Sequence, residues 1–291
     1  MKKIFSISGA VIALGISASV SALEITTTNN AATLSDRLFG SGVTIDKVTY
    51  SGHSEASGTF TGGAGSIGIE SGIILTTGYA SDAVGPNSPK KTDTRHGLDG
   101  HSALESLIGI STHDAASLTV EFTTSSDDIF FNFVLASEEY DGPDGWGQND
   151  AFALFLDNEN LAFVTGTDST PVTVANVNNF NENPNSAYFN DNGAGAYDIE
   201  YDGFTDIFTA SLFDLSAGKH TLEFVIADGG WDNWIDSAVF IQSGTLSDES
   251  ISDKSISDKS ISVPAPTSIA LLALGLIGLS FAQRKGMKPR G

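Results

Sequence analysis

Leu118-Thr119-Val120-Glu121-Phe122 is followed, six residues later, by Ile129-Phe130-Phe131-Asn132-Phe133-Val134-Leu135-Ala136. In the first stretch polar and apolar residues alternate, which places Leu118, Val120 and Phe122 on one face of a half-buried strand. In the second only Asn132 interrupts the apolar run, the pattern of a strand covered on both faces. Residues 151–156, 222–227 and 238–241 repeat these patterns, and 73–77, 172–177 and 207–212 repeat them more weakly. Glycine, asparagine and aspartate cluster between the runs, as turns require. Only residues 30–39 and 103–108 carry helical spacing, the first with Leu34 and Leu38 four apart and Gly40 as its stop. The expected fold is all-β: a single β-sandwich, jelly-roll-like, with one or two short helices, over residues 23–246.

The flanks carry different signals. Lys2 and Lys3 precede an apolar stretch at 4–16, and Val20-Ser21-Ala22 supplies a cleavage site before Leu23, so 1–22 reads as a secretory signal peptide. Residues 247–262 hold Ser250-Ile251-Ser252-Asp253-Lys254 and its repeat at 255–259, a polar spacer that cannot bury a core. Residues 263–291 open on Pro264-Ala265-Pro266, which stops a helix from extending backwards. Fifteen uncharged residues follow at 268–282, then Arg284, Lys285, Lys288 and Arg290. As a helix the uncharged stretch is about 22 Å long against a bilayer core of roughly 30 Å. It enters a membrane without spanning it well, and the basic end stays on the cytoplasmic side. That suits a sorting segment that visits the inner membrane transiently and is removed; the competing reading is a lasting transmembrane anchor.

Within 23–246 there are 32 acidic residues and 6 basic ones, a net charge of 32 − 6 = 26 negative. Such a surface excludes nucleic acid as a partner and attracts divalent cations. There is no cysteine, which excludes disulfides, thiolate metal sites and cysteine nucleophiles.

Five carboxylates fall within residues 138–150, from Glu138-Glu139-Tyr140-Asp141 through Asp144 to Asn149-Asp150. A second acidic loop, Asp228-Gly229-Gly230-Trp231-Asp232-Asn233-Trp234-Ile235-Asp236, is expected between the strands at 222 and 238. Like charges held side by side call for a counter-ion, and Ca2+ takes six to eight oxygen ligands from irregular loops. The expected ligands are Glu138, Glu139, Asn149, Asp150, Asp228 and Asp236. In an extended chain Glu138 and Glu139 point to opposite faces, so one of them braces the loop instead. Solvated acidic turns are the plainer alternative.

All three tryptophans, Trp146, Trp231 and Trp234, lie in these loops, as a surface that stacks on sugar rings requires. A carboxylate pair beside such a surface also matches a glycoside hydrolase, provided that the acids flank the sugar at about 5–10 Å. Binding without hydrolysis is the simpler reading. His96 and His101 bracket Asp99, a weak zinc pattern that fits surface histidines as well.

Several stretches resemble the choice-of-anchor L domain, an extracellular domain found with alternative anchoring tails. These are Gly68-Ile69-Glu70-Ser71-Gly72 through Gly78, Ala136-Ser137-Glu138-Glu139-Tyr140, the Asn149-Asp150 pair, and Ile226-Ala227-Asp228 with Asp236-Ser237-Ala238-Val239-Phe240. The tail resembles the PEP-CTERM sorting signal read by an exosortase-type enzyme, with Ala265 where that signal usually has glutamate. The resemblance implies export and display at the cell surface, or release after tail processing, rather than a reaction. The combined expectation is a non-enzymatic surface or extracellular-matrix protein, a calcium-stabilised sandwich that binds envelope or extracellular polysaccharide. A polysaccharide-active hydrolase and a purely structural matrix component are the competing classes.

Overall fold

The structure is a computed structural model, and it describes residues 22–39, 44–124, 129–141, 149–180, 183–212, 215–230 and 234–243. The segments expected to be a signal peptide and a spacer, and the sorting tail, with Pro264, Ala265, Pro266, Arg284 and Lys285, lie outside the described residues, as do Trp146 and Trp231. Ala22 is described and exposed.

In chain order the elements begin with β1 (Glu24–Thr27), α1 (Ala31–Leu38), β2 (Thr44–Ser51), β3 (Ser57–Thr61) and β4 (Ser71–Thr76). Then come α2 (Ser102–Ile108), β5 (Thr112–Thr124), β6 (Ile129–Ser137), β7 (Ala151–Leu156), β8 (Glu159–Asn160) and β9 (Val172–Thr173). The last are β10 (Phe189–Asp191), β11 (Gly203–Thr205), β12 (Phe208–Leu212), β13 (Gly218–Gly229) and β14 (Ser237–Gln242). Among the described residues they form two sheets. One runs β1-β3-β4-β14-β6-β11-β10 with β12 also on β6, and the other runs β2-β5-β13-β7-β8 with β9 on β7. The pairings are antiparallel.

The alternation in β5 places Leu118, Val120 and Phe122 in the core between the sheets, facing Phe131, Phe133 and Leu135 of β6. Each such phenylalanine contributes roughly 2–3 kcal/mol of burial. The unbroken apolar run of β6 has the expected cause. Val134 and Ala136 point the other way, into a second cluster with Phe240, Phe204 and Tyr201 that covers the outer face of the first sheet. On the second sheet, α2 lays Leu104 over Ala151, Ala153, Phe155, Val225 and Ala227. Asn132 survives in β6 because its side chain donates to Gln242 (2.9 Å) and accepts from the Thr209 hydroxyl (2.7 Å).

Both expected helices form. Asn30 caps α1 by accepting from the Thr33 N–H, and Leu34 and Leu38 are buried. Gly109 closes α2 with a left-handed backbone (φ 79°). Three local expectations are corrected. Residues 172–177 yield only β9, because Val174 onward turns back on itself through hydrogen bonds to Thr173. Asp228 belongs to β13, past a bulge after Ile226, rather than to a loop. Glu138 and Glu139 sit in a 3-10 turn, not an extended segment, so they do not simply alternate.

Candidate functional site

The two acidic motifs meet at one end of the sandwich. The Glu138 N–H donates to the Asp236 carbonyl (3.1 Å) and the Asn149 N–H to the Gly229 carbonyl (3.1 Å). Sequence proximity of charge thus becomes spatial proximity, but the carboxylates are put to different uses.

Asp150, 0 % exposed, accepts from the Gly229 N–H (2.9 Å) and from the Ser237 hydroxyl (2.5 Å), which ties the two motifs together. Glu139 accepts the Asp150 N–H (3.2 Å) within the first motif. Asn149 accepts from the Ala175 N–H (3.0 Å). These bonds hold loops, and those of Asp150 and Glu139 are buried.

Glu138 and Asp236 hold a strap, residues 88–98, that crosses the end of the sandwich. The Thr92 N–H donates to Glu138 Oε1 (3.1 Å), and the Thr94 N–H and hydroxyl donate to Asp236 Oδ1 and Oδ2 (2.9 Å each). Farther along, the His96 and Leu98 N–H groups donate to the two oxygens of Asp114 (2.9 and 2.6 Å). At the other end the Ser88 N–H and hydroxyl bind Glu200 (3.1 and 2.6 Å). The Thr92 and Thr94 N–H groups, two residues apart, thus find acceptors in side chains rather than in a partner strand, and the left-handed turn at Gly97 (φ 71°) lies between the two N–H groups that Asp114 takes. Asp114 lies on the second sheet, whereas Glu138 and Asp236 flank strands of the first, so the strap clasps both. Asp114 adopts a left-handed backbone (φ 46°) to do this, at a cost of about 1–2 kcal/mol for a residue with a Cβ.

Burial in this acidic neighbourhood shifts the titrations. Desolvation, with Asp202 and Glu200 nearby, raises Glu138 to about 8 against the relief of the Thr92 N–H bond. Its buried Oε2 receives no hydrogen bond, and the neighbouring Asp202 carboxyl adds to the upward push. Lys91 partly compensates, with its ammonium 3.1 Å from Asp202 and 2.6 Å from the Glu138 carbonyl. Asp236 rises to about 6, again through burial, held back by Thr94. Asp228 is pushed well up by burial and then by Asp150. The Thr77 hydroxyl lies near enough to moderate it, yet neither Asp228 oxygen receives a hydrogen bond of good geometry.

The six expected calcium ligands are therefore neighbours without being one cage. Among the described residues, no three acidic or histidine side chains converge in a group that could hold a metal ion. His96 stacks on His53 (ring centroids 3.9 Å apart) and His101 caps α2 while bonding Glu223 (3.2 Å), so the pair around Asp99 does not converge.

Outside the strap lies an open groove of about 700 Å³, walled by residues 88–95 and by Tyr79, Asp82 and Val84 on the opposite side. Trp234 is 51 % exposed, with the Arg95 guanidinium 4.1 Å above its ring. Sequence reading missed this strap together with Asp114, Glu200 and Asp202. One signal was available: Lys90, Lys91 and Arg95 are three of only six cations in residues 23–246.

Comparison with known proteins places the chain. The choice-of-anchor L domain model matches residues 20–247, and the PEP-CTERM protein-sorting motif matches residues 262–285. No curated protein matches. Among solved structures, a β-glucosidase from Kluyveromyces marxianus aligns at 14% identity and a TM-score of 0.21, over 47% of this chain and 12% of that one. The catalytic unit of a GH87 α-1,3-glucanase from Streptomyces thermodiastaticus aligns at 14% identity and a TM-score of 0.17, over 59% and 29%. This chain spans less than a third of either, and likeness at that level carries no functional weight.

Proposed function

The chain belongs to the choice-of-anchor L domain family and is exported and sorted to the cell surface through its PEP-CTERM motif; from that premise we propose that the domain is a non-enzymatic binder of extracellular or envelope polysaccharide, stabilised by calcium. An exosortase-type enzyme processes the tail, and the membrane is a transient partner during that step. The observation that carries the carbohydrate reading is Trp234, half exposed and packed against Arg95, a residue that lines an open groove. A flat, rigid, amphipathic ring held at the surface is what a sugar face packs on.

Burial speaks for binding rather than hydrolysis. Glu138 and Asp150 are 0 % exposed, and Asp228 and Asp236 are 1 % exposed. An acid that delivers a proton to a glycosidic oxygen must reach the sugar, and these face inward. Calcium enters the reading at Asp228, whose two buried oxygens lack hydrogen bonds beside Asp150. A cation there would let the carboxylate ionise and stabilise the fold.

Affinity electrophoresis of the exported protein through gels containing neutral and acidic polysaccharides tests the binding. Retardation by at least one polymer, relieved by Trp234→Ala, is the expected result; free migration through all of them refutes it. For the metal, melting in calcium and in EDTA is expected to differ, with the difference lost in Asp228→Asn. Equal midpoints in the two buffers refute calcium stabilisation.

A further inference from the structure

The six cations of the domain are not equivalent. Lys47 pairs with Glu121 (2.9 Å), Lys219 with Asp46 (3.3 Å) and Lys91 with Asp202 (3.1 Å), while Arg37 donates to the Phe60 carbonyl. Lys90 and Arg95 make no ion pair among the described residues, and both line the groove. In a domain with 26 surplus negative charges, an unpaired cation is in short supply. Two of them stand on one wall of one groove, on a segment lashed from behind by buried carboxylates. Across the groove stands Tyr79, partly exposed and held by edge contacts with His53 and His96.

Resting on the carbohydrate reading above, we propose that this groove takes a sparsely acidic glycan, with a sugar carboxylate against Lys90 and Arg95 and a ring face on Tyr79. Arg95 is exposed and its guanidinium lies 4.1 Å from the Trp234 ring centroid, and a guanidinium is the group suited to bidentate carboxylate recognition. The surrounding charge sets the spacing of acidic groups on the ligand. Beyond about 8–10 Å the remaining carboxylates of the protein are screened at physiological salt. A polymer charged at every unit would still meet Asp82, Asp93 and Glu200, which share the groove. One carboxylate every second or third sugar satisfies the two cations and leaves neutral hydroxyls for the acidic side chains. The groove volume, about 700 Å³, falls within the range of ligand clefts, roughly 300–1,000 Å³.

The test is calorimetric titration of the full exported protein with a hyaluronan hexasaccharide, which carries a carboxylate on alternate sugars. Chitohexaose, neutral and of equal length, is the comparison. We expect the acidic oligosaccharide to bind at least about tenfold more tightly, as charge-assisted bonds imply, and to weaken as salt is raised. Lys90→Ala/Arg95→Ala is expected to erase that preference without moving the melting temperature, since both side chains are solvent-facing. Lys47→Ala/Lys219→Ala removes the same charge elsewhere and is expected to leave the preference intact. Tyr79→Ala is expected to weaken both ligands. Equal binding of the two hexasaccharides overturns the acidic assignment and leaves the carbohydrate reading standing. Binding of neither overturns both. A preference that persists in Lys90→Ala/Arg95→Ala, or is lost equally in the control pair, overturns the placement in this groove.

Discussion

Glu138→Gln is expected to stabilise the protein at pH 8 and to leave it nearly unchanged at pH 5. Burial raises this carboxyl from 4.5 to about 8 in the fold, so between those values the native state holds a proton that the unfolded chain has released. Stability from such a group is fully present below about 4.5 and is lost as pH rises through about 8. A shift of that size corresponds to an upper bound of about 5 kcal/mol. Screening at a cluster that also contains Lys91 reduces the expected effect to about 2 kcal/mol. Glutamine keeps the acceptor for the Thr92 N–H and carries no charge at any pH, so it imitates the protonated acid. For a domain of this length, about 2 kcal/mol corresponds to roughly 4–8 °C in melting temperature. Melting in EDTA from pH 5 to pH 9 measures it, because EDTA removes any cation that would ionise the cluster. The wild type is expected to lose several degrees relative to the glutamine variant across that range. Parallel curves, or a wild type that gains on the variant as pH rises, would refute the reasoning.

Asp236→Ala strands the Thr94 N–H and hydroxyl and is expected to cost about 2–4 kcal/mol, with hydrogen exchange accelerating at residues 92–98 before the rest of the domain; protection spread evenly over the chain would count against a strap. In the His220–Asp157 pair (2.7 Å) burial opposes both charges but is outweighed: the Asp157 carboxylate and the Ser216 carbonyl together raise the histidine, and His220 with the Thr221 N–H lowers the aspartate. Its contribution is therefore lost above the histidine's raised value and again below the aspartate's lowered one. Asp157→Asn should flatten both limbs by no more than about 1 kcal/mol, since the aspartate is half exposed, as read from denaturant midpoints across pH. A Cβ at Gly72 would overlap the Ile241 carbonyl across the β4–β14 ladder, so Gly72→Ala is expected to cost at least about 2 kcal/mol, measured by urea unfolding.

How much of this was legible in the sequence depends on which force sets each feature. The period-two and unbroken apolar runs report burial directly, so β5, β6, β7, β13 and β14 are readable from composition along the chain. Helix α1 was readable from Leu34 and Leu38 four apart, with Gly40 as the stop. The 3-10 turn at Glu138 and the bulge before Asp228 were not, because both arise where the chain docks on its neighbours. The acidic motifs were recognisable as places of consequence, but not for what they bind. Charge repulsion argues for a counter-ion only when carboxylates face one another. Glu138, Asp236 and Asp114 face backbone N–H groups supplied by residues 92–98, a segment with no hydrophobic periodicity to announce it. Its alternating Thr92-Asp93-Thr94 and its share of scarce cations carry the signal, and both become meaningful only after the acceptors behind it are known.

The absence of cysteine from the sequence gives the strap its physical logic. An exported domain that must hold a long connection across the end of its sandwich commonly staples it with disulfides. Here the connection between β4 and α2 is fixed by buried acids that take its N–H groups one after another, through bonds that are charge-assisted wherever the acid is ionised. The arrangement has a cost that a disulfide lacks: buried acids resist ionisation, and Glu138 and Asp236 are both displaced upward for that reason. It also gains a property that a disulfide lacks, since the lashing responds to protons and to cations. Whatever binds the outer face of the strap is thereby coupled to the acids on its inner face. If glycan binding orders residues 88–98 further, the affinity of the groove must vary with pH in the same direction as the stability of the clasp, strengthening as Glu138 and Asp236 gain protons. Titrating the acidic hexasaccharide at pH 6 and pH 8 measures that linkage. A Glu138→Gln variant whose affinity is as pH-dependent as the wild type's would sever the two faces and leave the strap a purely architectural device.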